Sequence, residues 1–200
     1  MKKPLLVIGG LIGLMLVVAA GWYLAGPLFI DNTVDEAFPV NIPSNEELAQ
    51  MTEEERDTLE AQVQEASASM PDKVMNDAMP EAVSNAEPMA VVQGQFMDAD
   101  GFHKGSGSAA IFQLPDGNYI LRFDNFEVTN GPDLHVLLAA HPNPTTSDEL
   151  HENYIDLGSL KGNIGSQNYE IPAGTDISQF KSVVIYCMPF HVFFSNATLE

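Results

Sequence analysis

From residue 91 to residue 200 the chain is a series of short apolar runs separated by Gly, Pro, Asn and Asp. No helical period of ten or more residues interrupts the series. That punctuation confines the region to an all-β fold. Strands are expected near 91–97, 107–114, 118–126, 133–140, 154–160, 167–171, 182–188 and 191–199. Turn sequences separate them: Pro115-Asp116-Gly117, Asn130-Gly131-Pro132, Lys161-Gly162-Asn163 and Pro172-Ala173-Gly174. In the third run Tyr119, Leu121 and Phe123 alternate with Ile120, Arg122 and Asp124, the period of a half-buried strand. The expected architecture is an antiparallel β-sandwich of about eight strands over residues 91–200.

The remainder of the chain differs in charge. Of the 28 acidic residues, 15 lie in residues 31–90 against only Arg56 and Lys73, a net of −13; residues 91–200 carry 13 acids against four cations, a net of −9. Residues 1–30 hold only Lys2 and Lys3 as charged groups. The uncharged run Pro4–Ile30 is long enough for a helix to cross a bilayer. The two lysines before it and Asp31, Asp35 and Glu36 after it orient the N-terminus to the cytoplasm. The expectation is a single-pass signal anchor over 1–30 with everything after it periplasmic or extracellular. The competing reading is a cleaved signal peptide with a site at Val18-Ala19-Ala20, but the apolar run is longer than such a segment needs.

Residues 31–90 read as an acidic, partly helical stalk. Ser44-x-x-Glu47 and Thr52-x-x-Glu55 have capping-box spacing. Leu59, Val63, Ala66 and Met70 fall on one stripe of the helix that follows. Pro71, Pro80 and Pro88 prevent its continuation. A net charge of −20 repels phosphate backbones and excludes nucleic acid as a partner.

The chain has one cysteine, so no intrachain disulfide and no multi-cysteine metal site can form. No nucleophile elbow, zincin motif or phosphate loop is present, and a classical enzyme is not expected. Chemistry concentrates in Ser182-Val-Val-Ile-Tyr-Cys187-Met-Pro-Phe-His191. Val183, Ile185 and Cys187 share one face of a strand. Met188, His191, His135 and His103 are the weaker ligand candidates around the thiol. Two imidazoles, a thiolate and a weak axial ligand make a blue-copper set, and Cys, Met or His can also ligate haem. Packing offers the alternative account, in which Cys187 is a small buried hydrophobe.

An ordered set of motifs runs from Val91 to Leu199: Gly94-x-Phe96, His103-Lys-Gly-Ser-Gly107, Leu121-Arg-Phe-Asp-Asn-Phe126, Thr129-Asn-Gly131-Pro132-Asp133-Leu134-His135-Val136, Leu157-Gly-Ser-Leu-Lys161-Gly162-Asn163, Asn168-Tyr-Glu-Ile-Pro172, and Val184-Ile-Tyr-Cys187-x-x-Phe190. The set resembles the DM-thirteen domain, the electron-transfer DM-thirteen family. The resemblance implies an all-β domain whose near-invariant cysteine is Cys187, with a redox role either as a free thiol or as the holder of haem or another prosthetic group. It makes Gly131, Pro132, Asp133, Lys161, Gly162 and Asn163 family architecture, and it implies a redox partner protein. The rival is a cofactor-free extracytoplasmic binding or adhesion module in which Cys187 is only packed.

Overall fold

The computed structural model describes residues 43–80, 88–151 and 153–200. The expected anchor over Pro4–Ile30 lies outside these residues, as does the start of the acidic segment. Among the described residues no helix is long and apolar enough to cross a membrane.

Both capping boxes close. Ser44 caps helix α1 (Asn45–Gln50) and Thr52 caps helix α2 (Glu53–Ser69), each with its reciprocal glutamate. Each reciprocal pair satisfies N–H groups that a helix start otherwise leaves unbonded. On α2, Leu59 and Val63 are buried, and Ala66 and Met70 are half-buried, as their spacing predicts.

The body of the molecule is one nine-stranded sheet in the order β1-β7-β4-β3-β2-β9-β8-β5-β6. Its strands are β1 (Val74–Asn76), β2 (Met89–Asp98), β3 (Gly105–Gln113), β4 (Tyr119–Val128), β5 (Leu134–Ala139), β6 (Tyr154–Ser159), β7 (Ile164–Ile171), β8 (Ser182–Cys187) and β9 (Val192–Thr198). Every ladder is antiparallel except β1 with β7, so the sheet is mixed. The eight strands expected from the punctuation all form. The expected two-layer sandwich is replaced by a single curled sheet, a half-barrel. Its continuity comes from β2, which pairs with β3 through Met89–Gln95 and with β9 through Phe96–Asp98. One strand therefore belongs to both halves, and an alternation pattern carries no sign of that.

The concave side holds the main core. Phe96, Phe123 and Phe126 meet with ring centroids 4.8–4.9 Å apart, and Val136, Leu138, Val183, Ile185 and Cys187 join them from the other half. On β4 the alternation changes parity. Asn125 adopts φ +49° at a bulge, which returns Phe126 and Val128 to the core side. A second core covers the convex face of β5 and β8, where Leu137, Ala139, Val184 and Tyr186 are closed over by Leu150 of the short helix α3 (Ser147–His151).

The ninth strand comes from the acidic segment. β1 lies parallel to β7, Val74 opposite Ile164 and Asn76 opposite Ser166.

Candidate functional site

Cys187 ends β8, with Leu134 and Val192 as its neighbours on the flanking strands. It shares the concave face with Val183 and Ile185, as the alternation predicts, and only 1% of its surface is exposed. The thiol donates to the backbone carbonyl of Pro132 at 3.2 Å. Burial pushes it up to about 12; the backbone N–H of Phe190 opposes this, and the negative charges of Asp133 and Glu60 add to it. Such a thiol is protonated at neutral pH and is a poor nucleophile while the fold stays closed.

A backbone cap covers the sulfur. Gly131, Pro132 and Asp133 turn the chain into β5, and the Met188 N–H donates to the Asp133 carbonyl at 3.2 Å. A side chain at Gly131 would strike the Phe194 ring, since its Cβ would lie 2.4 Å from that ring, so glycine is required by the close approach. Asp133 takes φ +45°, and His191, across the Met188–His191 turn, takes φ +56°. Both are left-handed positions, which aspartate and histidine adopt more often than most side chains.

The candidate ligands do not gather on the sulfur. Met188 packs against the convex core, and His191 lies on that side too, its ring 6.2 Å from Tyr186 and 6.5 Å from His151. His135 is occupied by Asp156 (Nδ1 to Oδ2, 2.8 Å) and Asp133 (Nε2 to Oδ1, 3.3 Å). His103 is buried between Asp100, at 2.7 Å, and the Phe194 ring, at 4.2 Å. Among the described residues no group of three or more His, Cys, Asp or Glu converges on a point that could hold a metal. Cys187 meets a carbonyl and an N–H from the backbone, and Met188 and His191 sit on the opposite face of the sheet. This donor set does not fit a blue-copper ion, nor does it present an axial ligand to haem.

The remaining motif has a mechanical task. Lys161 reaches Asp77 at 2.8 Å and the Asn168 carbonyl at 2.7 Å, and its ammonium stands 5.3 Å from the centre of the Tyr169 ring. Asn163 accepts from the Lys73 N–H and donates to Asp72, both at 2.7 Å. At Gly162 a Cβ would lie 2.3 Å from the Lys73 carbonyl. Arg122 completes the clamp, holding Asp124 at 2.7 Å and the Asp77 carbonyl at 2.5 Å. Lys161, Gly162 and Asn163 therefore fasten residues 72–78 to the sheet.

Several partners were not legible in the sequence: Asp156 and Ser159 beside His135, and Asp77 in the clamp. Asp156 lies 21 residues from His135 and Asp77 lies 84 from Lys161. No local spacing pairs them. A cavity of about 180 Å³ separates Leu48, Ala49, Arg56 and Glu60 of the helices from Pro189, Phe190 and His191 of the turn beside the cap.

Compared with known families, residues 95–199 match the family described as Electron transfer DM13, just over half of the chain. No curated protein and no solved structure matches it.

Proposed function

The chain belongs to the Electron transfer DM13 family, and from that premise we propose that it is a membrane-tethered, extracytoplasmic redox domain whose responsive group is the free thiol of Cys187. The observation that carries this reading is the thiol's position: the chain's only sulfhydryl is held under a backbone cap at the end of a strand, with no side-chain ligand around it among the described residues. Lys2 and Lys3 ahead of the apolar run Pro4–Ile30 support the tether and its orientation. In the redox step the Cys187 thiol loses its proton and its sulfur bonds to one sulfur of a partner's disulfide. The partner's S–S bond breaks, and its second sulfur departs as a thiolate that takes up a proton. Cys187 is oxidised to a mixed disulfide and the departing sulfur is reduced. A chain with one cysteine cannot resolve that bond internally; the thiol of a third molecule attacks the Cys187 sulfur, the bond to the partner breaks, and the partner leaves as a dithiol while Cys187 stays oxidised in a disulfide with that third molecule.

One observation favours a second reading. Burial, a raised pKa and aliphatic neighbours are also what a purely structural cysteine shows, which fits a binding or adhesion module. The two readings separate when wild type and Cys187→Ser are equilibrated in a graded thiol–disulfide buffer. The redox reading expects a mass increase of one buffer thiol on the wild type at oxidising poise, reversed at reducing poise, and electron exchange lost in the variant. Wild type that stays unmodified across the whole series, or a variant that retains electron exchange, sinks it. Visible absorbance of the purified full-length protein, retained in Cys187→Ser, would point to a prosthetic group held elsewhere.

A further inference from the structure

We propose that Asp133, His135 and Asp156 form a protonation latch that keeps the cap over Cys187 closed when His135 is charged and releases it when His135 is neutral. The inference rests on the reading of Cys187 as the redox group, and it assigns that group a regulator.

Both nitrogens of the imidazole face carboxylates. Nδ1 meets the two Asp156 oxygens at 2.8 and 3.0 Å, and Nε2 meets Asp133 at 3.3 Å. Only the imidazolium has two N–H donors, so only the charged ring satisfies both contacts. The neutral ring must give one up. Nδ1–H keeps Asp156, whose contact is shorter and two-pronged. Nε2 then becomes an acceptor, and the Ser159 hydroxyl, 3.4 Å away, is the donor available to it. The triad therefore has two hydrogen-bonded states, and they differ in whether Asp133 is held.

Asp133 is where this difference reaches the thiol. Its carbonyl accepts the Met188 N–H, and its neighbour Pro132 accepts the Cys187 thiol. Its backbone is left-handed at φ +45°, a conformation that costs energy for a non-glycine residue unless its surroundings hold it. Loss of the side-chain contact is therefore felt at Asp133 and at the adjoining Pro132 carbonyl that meets the thiol. The groups facing the imidazole are Asp133 from its own turn, Asp156 and Ser159 from β6, and Tyr186, its register partner on β8, with His191 beyond that ring. The imidazole is 18% exposed, but Asp133 is 55% and Asp156 35% exposed, so solvent weakens the Asp133 contact more than the Asp156 one. The latch opens when the imidazolium gives up its proton, because the neutral ring has a single N–H donor.

The test follows the Met188 amide in the full-length protein by hydrogen exchange, as a protection factor corrected for the intrinsic pH dependence of exchange. In wild type, protection is expected to fall about fivefold from pH 5 to 8, the size of one partly exposed ion pair. In Asp133→Asn, which keeps a residue suited to the left-handed region, and in His135→Gln, it is expected to stay flat. Flat protection in wild type overturns the latch, and so does an equal fall in both variants. Exchange reads the latch without any redox chemistry. If Met188 shows the expected pattern while Cys187→Ser keeps its electron exchange, the latch stands and the redox reading falls.

Discussion

The two halves of the curled sheet are covered differently. In β1, β7, β4, β3 and β2 one face is packed and the other carries polar groups: on β4, Leu121 and Phe123 are buried while Arg122 and Asp124 reach toward Ser166, Asn168 and Asp77. In β9, β8 and β5 both faces are covered, and all six residues of β8 are buried. In the first half the edge strand β7 takes β1 as its neighbour, and the polar groups Arg122 and Lys161 hold Asp77 just beyond it. The doubly covered half can shelter a thiol from solvent, and it shelters Cys187. Coverage decides which half adds a strand from the acidic segment and which half buries the thiol.

The largest effect that would break this contrast is chemical. With its thiol pushed up to about 12 by burial, Cys187 is expected to alkylate in native protein at pH 8 roughly a thousandfold more slowly than an exposed cysteine, whose pKa is about 8.5. Native and urea-unfolded protein can be compared with iodoacetamide. Because the folded-state pKa is raised, this group's share of stability is fully present below about pH 8.5 and is lost as pH climbs toward the folded value. Equal rates in the two states would place the sulfur at the surface and undo the comparison.

Packing supplies the next largest effect. Ile185→Ala on the concave side and Leu137→Ala on the convex side are each expected to cost about 2–5 kcal/mol, because both positions are fully buried. On β4 Phe123→Ala is expected to cost about 3–5 kcal/mol, whereas Asp124→Ala, a half-exposed position, costs roughly 1 kcal/mol or less. Urea melts of the four variants check this. A neutral Leu137→Ala would mean that the second half, like the first, has only one packed face.

A smaller effect than core truncation belongs to the clamp. Burial raises the Asp77 carboxyl, but the Lys161 ammonium, the Asn168 N–H and Arg122 outweigh it and hold it below the usual carboxylate range. A depressed carboxyl stabilises above its unfolded pKa and loses that contribution as pH falls through the folded value. Acidification below about pH 4 should therefore loosen β1, and Asp77→Ala should cost about 1–3 kcal/mol at pH 7 and progressively less in acid. Proteolysis near residues 72–78, followed against pH, checks both. Cleavage that is equally slow in Asp77→Ala and wild type would show that backbone pairing alone holds the strand.

Legibility in the sequence followed coverage and distance along the chain. Eight strands were readable because Gly, Pro, Asn and Asp mark their ends wherever they pair. The helix α2 was readable from Thr52-x-x-Glu55, a contact of three residues' span. β1 was not, because three residues between prolines carry no period, and its strand character comes from Asn163, Lys161 and Ile164 about 90 residues away. In the site, the direction of Cys187 followed from strand alternation with Val183 and Ile185. The dispersal of Met188, His191, His135 and His103 did not, since a tight turn places Met188 and His191 on the face opposite the thiol while each other imidazole takes its own carboxylate.

By itself the sequence determined the β class, the positions of the strands, the capped helices, the acidic charge and the single thiol at the end of β8. These are local quantities, set by side-chain type, residue spacing and summed charge. Tertiary structure decided that the strands form one curled sheet, that an acidic segment supplies its ninth strand, that the Pro132 carbonyl meets the Cys187 thiol, and that His135 lies between Asp133 and Asp156. Each of those outcomes depends on groups brought together across tens of residues. The free energy that selects them, burial of both faces and pairing of partly buried charges, exists only once the chain has folded.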